Sequence, residues 1–443
     1  MRECSYYWEG LSCEQALRSG TLRRALAEAF TGAEDWRRVL ILGPDFSRRH
    51  SQAGNIVNLL YHRLAGCGCR VDILPALGTH APMTRKECER MYGDIPAGCF
   101  RVHDWRRDVV SVGTVPAAFV AEVSGGVYRE EIPAEVNRLL LAGYDQILSV
   151  GQVMPHEVVG MANHAKNIFV GTGGSAMIHA SHAVGAFYGM ERIMGRDFSP
   201  VRRIFDYAAE HFLKELPLTY LLTVVSQQEG KACLEGLFIG KERRRFEEAV
   251  ALSQKKNIRY LNKPANKIVA WMEPEEYKST WIANKAIYRS RMALADAGEL
   301  IVLAPGVERF GEDQAIDKRI RRYGYRGRAY LLRQVERQAE LRENLAAAAH
   351  LIHGSSDGRF TVTYCPGHLT REEIEGVGFR YAPLKEMRER YQPADRKTGW
   401  HRTGAGEEYY YIDAPGLGLW AWEGRMQDEV KEDCYEDTAE RQI

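Results

Sequence analysis

Three residues in one short stretch have the types and spacing to hold a metal beside a covalently bound group. His156, Lys166 and His182 lie within MPHEVVGMANHAKNIFVGTGGSAMIHASH, with Lys166 ten residues from one histidine and sixteen from the other. Imidazole is the commonest protein ligand for metals and transfers protons near neutral pH. A buried lysine can serve as a covalent attachment point, because burial lowers the pKa of its amine. The alternative is a lysine whose amine reaches solvent from the mouth of a strand.

A glycine-rich turn follows Lys166 and precedes a predicted helix that carries His179 and His182. The N–H groups at the start of such a helix can bind a phosphate. This makes the turn a candidate phosphate site formed by Gly171, Gly173, Gly174 and Ser175. Its sequence matches neither the GxGxxG fingerprint of dinucleotide-binding folds nor the P-loop. The turn alone therefore does not identify a nucleotide.

Other candidate residues also follow predicted strands. Arg48 can bind a carboxylate through two parallel hydrogen bonds, and Asp45, three residues earlier, can hold that arginine in place. A local ion pair of little energetic consequence is the alternative. Six of the thirteen histidines, including His80, lie between residues 80 and 182. A single histidine is most often a surface or packing residue, but several beside a lysine and glycines indicate chemistry.

The elements that must position these residues alternate between strands and helices. Strands are predicted at 39–43, 71–74, 146–150 and 167–170, a helix at 53–64, and Thr84 as the cap of another helix. This alternation is typical of an α/β domain with a mostly parallel sheet. Ligands bind beyond the carboxyl ends of such strands. We therefore expect one rim to contain Asp45, Arg48, His80, His156 and Gly171.

A second α/β unit is predicted after an interruption of the pattern near residues 260–272. Its expected elements are strands at 267–272 and 299–304, a helix at 275–297 and a long amphipathic helix at 328–352. The predicted architecture is thus two α/β domains, 1–265 and 266–443, with mostly parallel or mixed sheets and the active site between them. The polar tail at 429–443 is expected to fray.

The bulk composition excludes some classes of protein. Lys+Arg 60 against Asp+Glu 59 gives a formal net charge of +1, which provides no general attraction to nucleic acid or anionic membranes. No apolar stretch approaches the roughly 20 residues of a membrane span. The N-terminus lacks the apolar core of a signal peptide, and the odd number of cysteines, nine, argues against a complete disulfide framework. These features predict a cytoplasmic protein.

The order and spacing of the motifs resemble the nickel-dependent lactate racemase family. The matching residues are Asp45-x-x-Arg48, Gly78-Thr-His80-x-Pro82-Met-Thr84, His103-Asp104-Trp105, Pro155-His156, Lys166 and His182. The similarity continues through Asn284-Lys285-Ala286 and Leu303-Ala304-Pro305-Gly306.

The resemblance implies a nickel-pincer nucleotide, a modified pyridinium mononucleotide with thioamide and thiocarboxylate arms, joined covalently to Lys166. Nickel would be held by the pincer carbon and two sulfurs, with His182 as the protein ligand. Such soft donors in a planar arrangement suit Ni(II). Enzymes that synthesise the cofactor are implied as suppliers.

The resemblance also implies an isomerase, a racemase or epimerase acting on a 2-hydroxy acid. His80 and His156 match the acid and base of the family, one for each face of the reacting carbon. Arg48, ordered by Asp45, and Lys285 would bind the substrate carboxylate. Hydride would pass to the cofactor and return to the opposite face through a planar 2-keto acid.

This chain departs from the family pattern next to the expected site. Ala81 stands where lactate racemases have arginine, and Asn163-His164-Ala165 replaces the family's Ser-Gly-Gly before the lysine. The smaller Ala81 favours a 2-hydroxy acid larger than lactate, such as a sugar acid. Two other functions stay open. One is a zinc-type hydrolase built from His80, His156 and His182, and the other is a non-catalytic binder of a sugar acid or nucleotide.

Overall fold

The computed structural model describes residues 2–228, 231–395 and 397–426, so the predicted frayed tail lies outside the described residues. The chain divides into two compact units, Met1–Val184 with Met194–Asn257, and Gly185–Ile193 with Ile258–Ile443. The division lies a few residues before the predicted one at 265/266 and assigns the short segment Gly185–Ile193 to the second unit. Each unit combines helices with a six-stranded sheet, which confirms the predicted α/β class with mostly parallel or mixed sheets.

The first unit contains ten strands and the first eight helices of the described chain. The strands are β1 (Cys4–Tyr7), β2 (Arg38–Leu42), β3 (Arg70–Ile73), β4 (Val109–Val115), β5 (Ile132–Asn137), β6 (Gln146–Gln152), β7 (Pro155–His156), β8 (Gly160–Met161), β9 (Leu218–Gln228) and β10 (Lys231–Gly240). The helices are α1 (Cys13–Arg18), α2 (Thr21–Ala29), α3 (Ala53–Gly66), α4 (Arg85–Tyr92), α5 (Ala117–Val123), α6 (Ser175–Tyr188, whose last residues belong to the second unit), α7 (Pro200–Phe212) and α8 (Arg243–Asn257).

The main sheet of the first unit has the order β1-β10-β9-β6-β2-β3. Neighbouring strands among β9, β6, β2 and β3 pair in parallel. At the other end of the sheet, β10 pairs antiparallel with β9, and β1 pairs antiparallel with β10. Alternate residues of β2 enter different cores: Leu40 and Leu42 pack on one side, Val39 and Ile41 on the other. Because both faces are covered, the strand is apolar throughout, as buried parallel strands are. The loops after β2, β3 and β6 therefore meet at one edge of the sheet.

The second unit contains strands β11 (Ile258–Leu261), β12 (Ala265–Trp271), β13 (Leu294–Ala304), β14 (Thr361–Pro366), β15 (Arg380–Tyr381), β16 (Gly399–Arg402), β17 (Glu408–Ile412) and β18 (Leu419–Trp422). Its helices are α9 (Thr280–Ala283), α10 (Lys285–Ser290), α11 (Gln314–Tyr323), α12 (Arg328–Arg337), α13 (Ala339–Arg342), α14 (Leu345–His353), α15 (Arg371–Gly376) and α16 (Leu384–Tyr391). The sheet order is β15-β14-β13-β12-β17-β16, and only the β16–β17 pair within this sheet is antiparallel.

Most of the predicted elements are confirmed. Strands occur at five predicted positions, 39–43, 71–74, 146–150, 267–272 and 299–304, and α3 includes the predicted helix at 53–64. Thr84 caps α4 as predicted: its side chain accepts a hydrogen bond from the N–H of Glu87, whose carboxylate in turn accepts one from the N–H of Thr84. No helix in the described part of the chain is long and apolar enough to cross a bilayer.

Three predicted elements are wrong. Residues 167–170 form part of a π-helical turn, Asn167–Gly171, and not a strand, because a run of four apolar residues fits either conformation. The predicted helix at 275–297 is limited to α9 and α10, and β13 begins before its end. The predicted helix at 328–352 is divided into α12, α13 and α14. Gln338 and Asn344 lie outside the helical region there, and the Asn344 side chain caps α14.

The contact between α3 and α4 generates a stability prediction. A Cβ added at Gly54 would lie 2.0 Å from the Met91 carbonyl oxygen, whereas a Cβ at Gly66, in the same helix, would meet nothing within 4 Å. We expect Gly54→Ala to lower the free energy of unfolding by about 1–3 kcal/mol, the usual cost of overpacking. Urea unfolding followed by circular dichroism measures this loss. Gly66→Ala is the matched control, and an equal loss in both variants would contradict the steric explanation.

Candidate active site

The Asp45 carboxylate orients His80 at the sheet edge. Asp45 follows β2 and begins a 3₁₀ turn, but its side chain does not cap that turn. The carboxylate instead accepts hydrogen bonds from His80 Nδ1 and, at 2.5 Å, from Ser47 Oγ. Burial alone would raise the pKa of Asp45, but these bonds outweigh it and leave the pKa below its ordinary value. His80 is 63% exposed and, with its Nδ1 proton directed to Asp45, keeps the Nε2 lone pair.

Arg48 does not have the partner that we predicted for it. Its Nη1 lies 3.0 Å from the Met154 sulfur, and the carboxylate of Asp45 is bonded to His80 and Ser47. The Asp45 carboxylate is thus bonded to other residues, although the positive charge of Arg48 contributes to its lowered pKa. The reason is a contact between two strand-end loops that a local i,i+3 argument does not include.

His156 lies in β7, which pairs with β8 in a small antiparallel ribbon. The side chain is buried, and its Nδ1 accepts a hydrogen bond of 3.1 Å from the N–H of Val158. The neutral ring therefore carries its proton on Nε2. The Glu157 carboxylate lies 3.9 Å from the same Nδ1. His80 and His156 are thus held in opposite tautomers, one with a free Nε2 lone pair and one with an Nε2 proton.

The Lys166 amine is held in a site that favours its neutral form. Burial lowers the pKa of Lys166 to about 8, and the positive charge of Arg48 contributes to that shift. The negative charges of Glu157 and Asp45 act in the opposite direction. An amine with this pKa is substantially unprotonated near pH 8 and is therefore a better nucleophile than an ordinary lysine.

A strained segment places Lys166. Asn163 and His164 both have positive φ, 72° and 58°, a conformation that costs free energy for residues other than glycine. The buried Arg202, on α7, donates hydrogen bonds to the carbonyls of Met161, at 2.6 Å, and Asn163, at 3.2 Å. Arg202 thus stabilises the turn that leads into Lys166. Sequence reasoning missed it, because nothing in the sequence of α7 indicates this distant contact.

His182 has the tautomer of a metal ligand. Its Nδ1 donates a hydrogen bond of 2.6 Å to the Ile178 carbonyl one turn earlier in α6, which leaves the Nε2 lone pair available. Burial lowers the pKa of His182 and the positive charge of Lys166 adds to this effect, although the bond to Ile178 opposes it. The ring is therefore neutral at pH 7, the form that binds metals.

Electrostatic interactions and one hydrogen bond connect these positions. The Gly78 N–H, in the left-handed turn before His80, donates to the Gly171 carbonyl at 2.9 Å. Glu157 interacts electrostatically with both Lys166 and His182. Glu157 is not among the predicted site residues, although its position directly after His156 was a usable signal. Glu157 and Asp45 are the acidic residues whose charges act on Lys166.

The glycine turn has a different role from the predicted one. Cβ atoms at Gly173 and Gly174 would lie 1.9 Å from the Phe169 carbonyl oxygen and 2.2 Å from the Glu135 carboxylate. The Glu135 carboxylate also accepts a hydrogen bond of 3.0 Å from the N–H of Ala176, in the first turn of α6. A carboxylate thus occupies the position where we expected a phosphate. The turn Gly171 to Ser175 allows close packing against protein, and the structure does not support it as a phosphate site.

The remaining candidates lie elsewhere. Lys285 begins α10 in the second unit, where its amine is 5.8 Å from the centre of the Tyr277 ring. His179 packs edge-on against Trp105, with ring centres 6.0 Å apart. Within the described residues, no group of three or more His, Cys, Asp or Glu side chains could hold a metal ion. His80, His156 and His182 therefore do not form the three-residue zinc site of the alternative hypothesis.

Comparisons with known proteins agree with this fold. Residues 9–193 match the family model of the lactate racemase N-terminal domain, which confirms the resemblance over that segment. Two solved structures are similar to this chain. A protein from Thermotoga maritima is 24% identical with a TM-score of 0.77, and the match covers 94% of this chain and 100% of that one. The lactate racemase apoprotein from Thermoanaerobacterium thermosaccharolyticum is 17% identical with a TM-score of 0.69, and the match covers 90% of this chain and 91% of that one. At these identities the structures show a shared fold. No curated protein matches the chain in sequence.

The charges around Lys166 generate a prediction about its reactivity. In the protein without cofactor, acetylation of Lys166 should have a pH midpoint near its pKa of about 8. Arg48→Gln should raise that midpoint by removing a positive charge, and Glu157→Gln should lower it by removing a negative one. Competitive labelling with acetic anhydride, quantified by peptide mass spectrometry, measures each midpoint. Arg49→Gln is the control for Arg48→Gln, and equal shifts in these two variants would contradict the assignment.

Proposed function

We propose that this chain, which carries a lactate racemase N-terminal domain over residues 9–193, racemises or epimerises a 2-hydroxy acid with a nickel-pincer nucleotide. One observation carries the proposal. The Lys166 amine, with its pKa of about 8, interacts electrostatically with the neutral His182, whose Nε2 lone pair is available. The two residues would thus provide what the cofactor needs: Lys166 as a covalent anchor and His182 as a single metal ligand.

The residues fit the proposed cofactor. Lys166 would hold it through the thioamide and His182 would bind the nickel. The absence of a three-residue donor group in the described part of the chain agrees with a metal held mainly by cofactor atoms. When bound, the nucleotide would supply reversible hydride acceptance from C2 of the substrate. Since Glu135 bonds the start of α6, the phosphate is not assigned to the glycine turn.

The two catalytic histidines would have unequal roles in the first proton transfer. His80 has its Nδ1 proton on Asp45 and a free Nε2 lone pair, so it can remove the substrate's hydroxyl proton. Asp45 then stabilises the imidazolium that forms, as an adjacent carboxylate does. His156 can donate a hydrogen bond from Nε2, but it can act as a base only after losing the bond from Val158.

Two residues are proposed to bind the substrate carboxylate. Arg48 follows the same strand as Asp45, and its guanidinium offers the planar pair of donors that a carboxylate accepts. Its contact with the Met154 sulfur is weak enough to be replaced. The corresponding role of Lys285 stays a prediction. Ala81 in place of arginine favours a larger substrate, so we propose an aldonate-like sugar acid over lactate.

The first test separates the anchor from the metal ligand. Protein produced with the cofactor-synthesis enzymes should carry a mass adduct on the peptide containing Lys166, together with nickel. Lys166→Ala should lose the adduct, whereas His182→Ala should keep the adduct and lose most of the nickel. Peptide mass spectrometry and metal analysis measure the two quantities, with Lys86→Ala as a control at an exposed lysine. Bound zinc with an unmodified Lys166 would instead support the hydrolase.

The second test concerns catalysis. His80→Gln and His156→Gln should each lower the interconversion rate about 10²–10⁴-fold, the usual contribution of a general acid or base, while keeping the adduct and nickel. Chiral chromatography of lactate, malate and aldonates incubated with the loaded enzyme measures the rate and identifies the substrate. Turnover of lactate alone would contradict the larger substrate. Ligand binding without any interconversion would indicate the non-catalytic binder.

A further inference from the structure

A second cavity lies in the first unit, beside the segment that leads into Lys166. Its volume is about 380 Å³, within the range of pockets that bind small metabolites. Helix α7 contributes Asp206 and Ala209, β9 contributes Tyr220, and His164 comes from the strained turn. Lys241 and Arg243 line it from the region where β10 leads into α8. None of these residues belongs to the proposed catalytic cluster.

Several buried polar atoms of the cavity lining have no hydrogen-bond partner within the described residues. His164 is only 6% exposed, and neither of its ring nitrogens has a hydrogen-bond partner within the described residues. The same holds for Asp206 Oδ1 and Arg243 Nη1. His164 Nδ1 and Asp206 Oδ1 are 3.9 Å apart, too far for a direct hydrogen bond. Leaving such groups unsatisfied is costly, so a ligand hydroxyl that bonds them would be stabilised.

The charges of the lining favour an anion. Three cationic and two acidic side chains line the cavity. Arg243 is already paired with two carboxylates, Asp197 at 2.8 Å and Asp206 at 3.1 Å, so Lys214 and Lys241 are the cations that remain for a ligand. The Lys241 amine donates to two backbone carbonyls, those of Lys214 at 2.6 Å and Leu216 at 3.3 Å, which fix the position of its charge. Among the residues that the structure describes, it has no anionic partner. A carboxylate or phosphate at the mouth would provide that partner.

The turn also gives a reason for histidine at this position. His164 has a positive φ of 58°, a conformation that favours glycine. Its ring packs between Tyr220 and Phe246, with ring centres 4.1 Å and 5.0 Å away. The chain thus carries both backbone strain and two unsatisfied nitrogens to keep an imidazole beside the cavity. A binding role for the imidazole would offset this cost.

We propose that this cavity binds a small organic anion that carries hydroxyl groups. The anionic group pairs with Lys241, a hydroxyl bonds His164 and Asp206, and the carbon skeleton packs on Tyr220 and Ala209. A sugar acid and a sugar phosphate share this chemistry. The site requires neither the nickel cofactor nor turnover, so it stands or fails independently of the proposed racemase.

Isothermal titration calorimetry tests the proposal on the full chain in an Arg48→Gln background, which weakens carboxylate binding at the catalytic cluster. The probes are gluconate, glucose 6-phosphate, glucose and acetate. Gluconate or glucose 6-phosphate should bind at least tenfold more tightly than glucose and acetate. The tighter of the two identifies the anionic group as carboxylate or phosphate.

Two variants locate the binding. Ala209→Phe fills the cavity and Lys241→Gln removes the fixed charge at an exposed position, so each should weaken the binding at least tenfold. Lys255→Gln makes the same charge change on an exposed residue of α8 outside the lining and should have no effect. Thermal unfolding checks that the variants are folded, and Lys241→Gln decides the result if Ala209→Phe does not fold. No binding, equal binding of glucose, or binding unaffected by the cavity variants would overturn the proposal.

Discussion

The burial of the Lys166 amine beside a second cation is the constraint on which the candidate site depends. The negative charges of Glu157 and Asp45 raise the pKa of Lys166, but burial and the positive charge of Arg48 outweigh them and lower it. The protein stabilises this arrangement through the backbone. Arg202 bonds the carbonyls of the preceding turn, where Asn163 and His164 have positive φ. Arg202, on α7, thus acts on the site in two ways: it holds this turn, and its positive charge contributes to the lowered pKa of Lys166.

Hydrogen bonds at Nδ1 set the proton positions on the three histidines. His80 is oriented by a side chain, the carboxylate of Asp45, whereas His156 is held by the N–H of Val158 and His182 by the carbonyl of Ile178. A carboxylate can stabilise a positive ring, and a backbone N–H cannot. The Nδ1 partners thus distinguish the three imidazoles: His80 has a carboxylate behind a free Nε2 lone pair, His156 has a proton on Nε2, and His182 has an Nε2 lone pair with a backbone carbonyl behind it.

The sequence predicted the frame of this site better than its contacts. Strands such as 39–43 were recognisable because a short apolar run ends in a turn. The edge of the sheet at which the site residues should lie was also predictable, because the carboxyl ends of parallel strands meet at one edge. The bond between Asp45 and His80 was not predictable, because it joins loops 35 residues apart and the local pattern suggested Arg48 instead. Glu135 was missed for the same reason, since it reaches α6 from another strand. The π-helical turn after Lys166 was missed because four apolar residues do not distinguish helix from strand.

One strained segment contributes residues both to the proposed catalytic cluster and to the cavity that we propose as a binding site. Lys166 belongs to the catalytic cluster and His164, two residues earlier, lines the second cavity, while Arg202 bonds the turn between Met161 and Asn163. A replacement of His164 would therefore change the backbone preference of the segment as well as the cavity. For that reason the cavity is better probed at Ala209 and Lys241, which are not part of the turn. The backbone angles of Asn163 and His164 therefore help to set two things at once: the position of the Lys166 amine and the position of the His164 ring in the cavity.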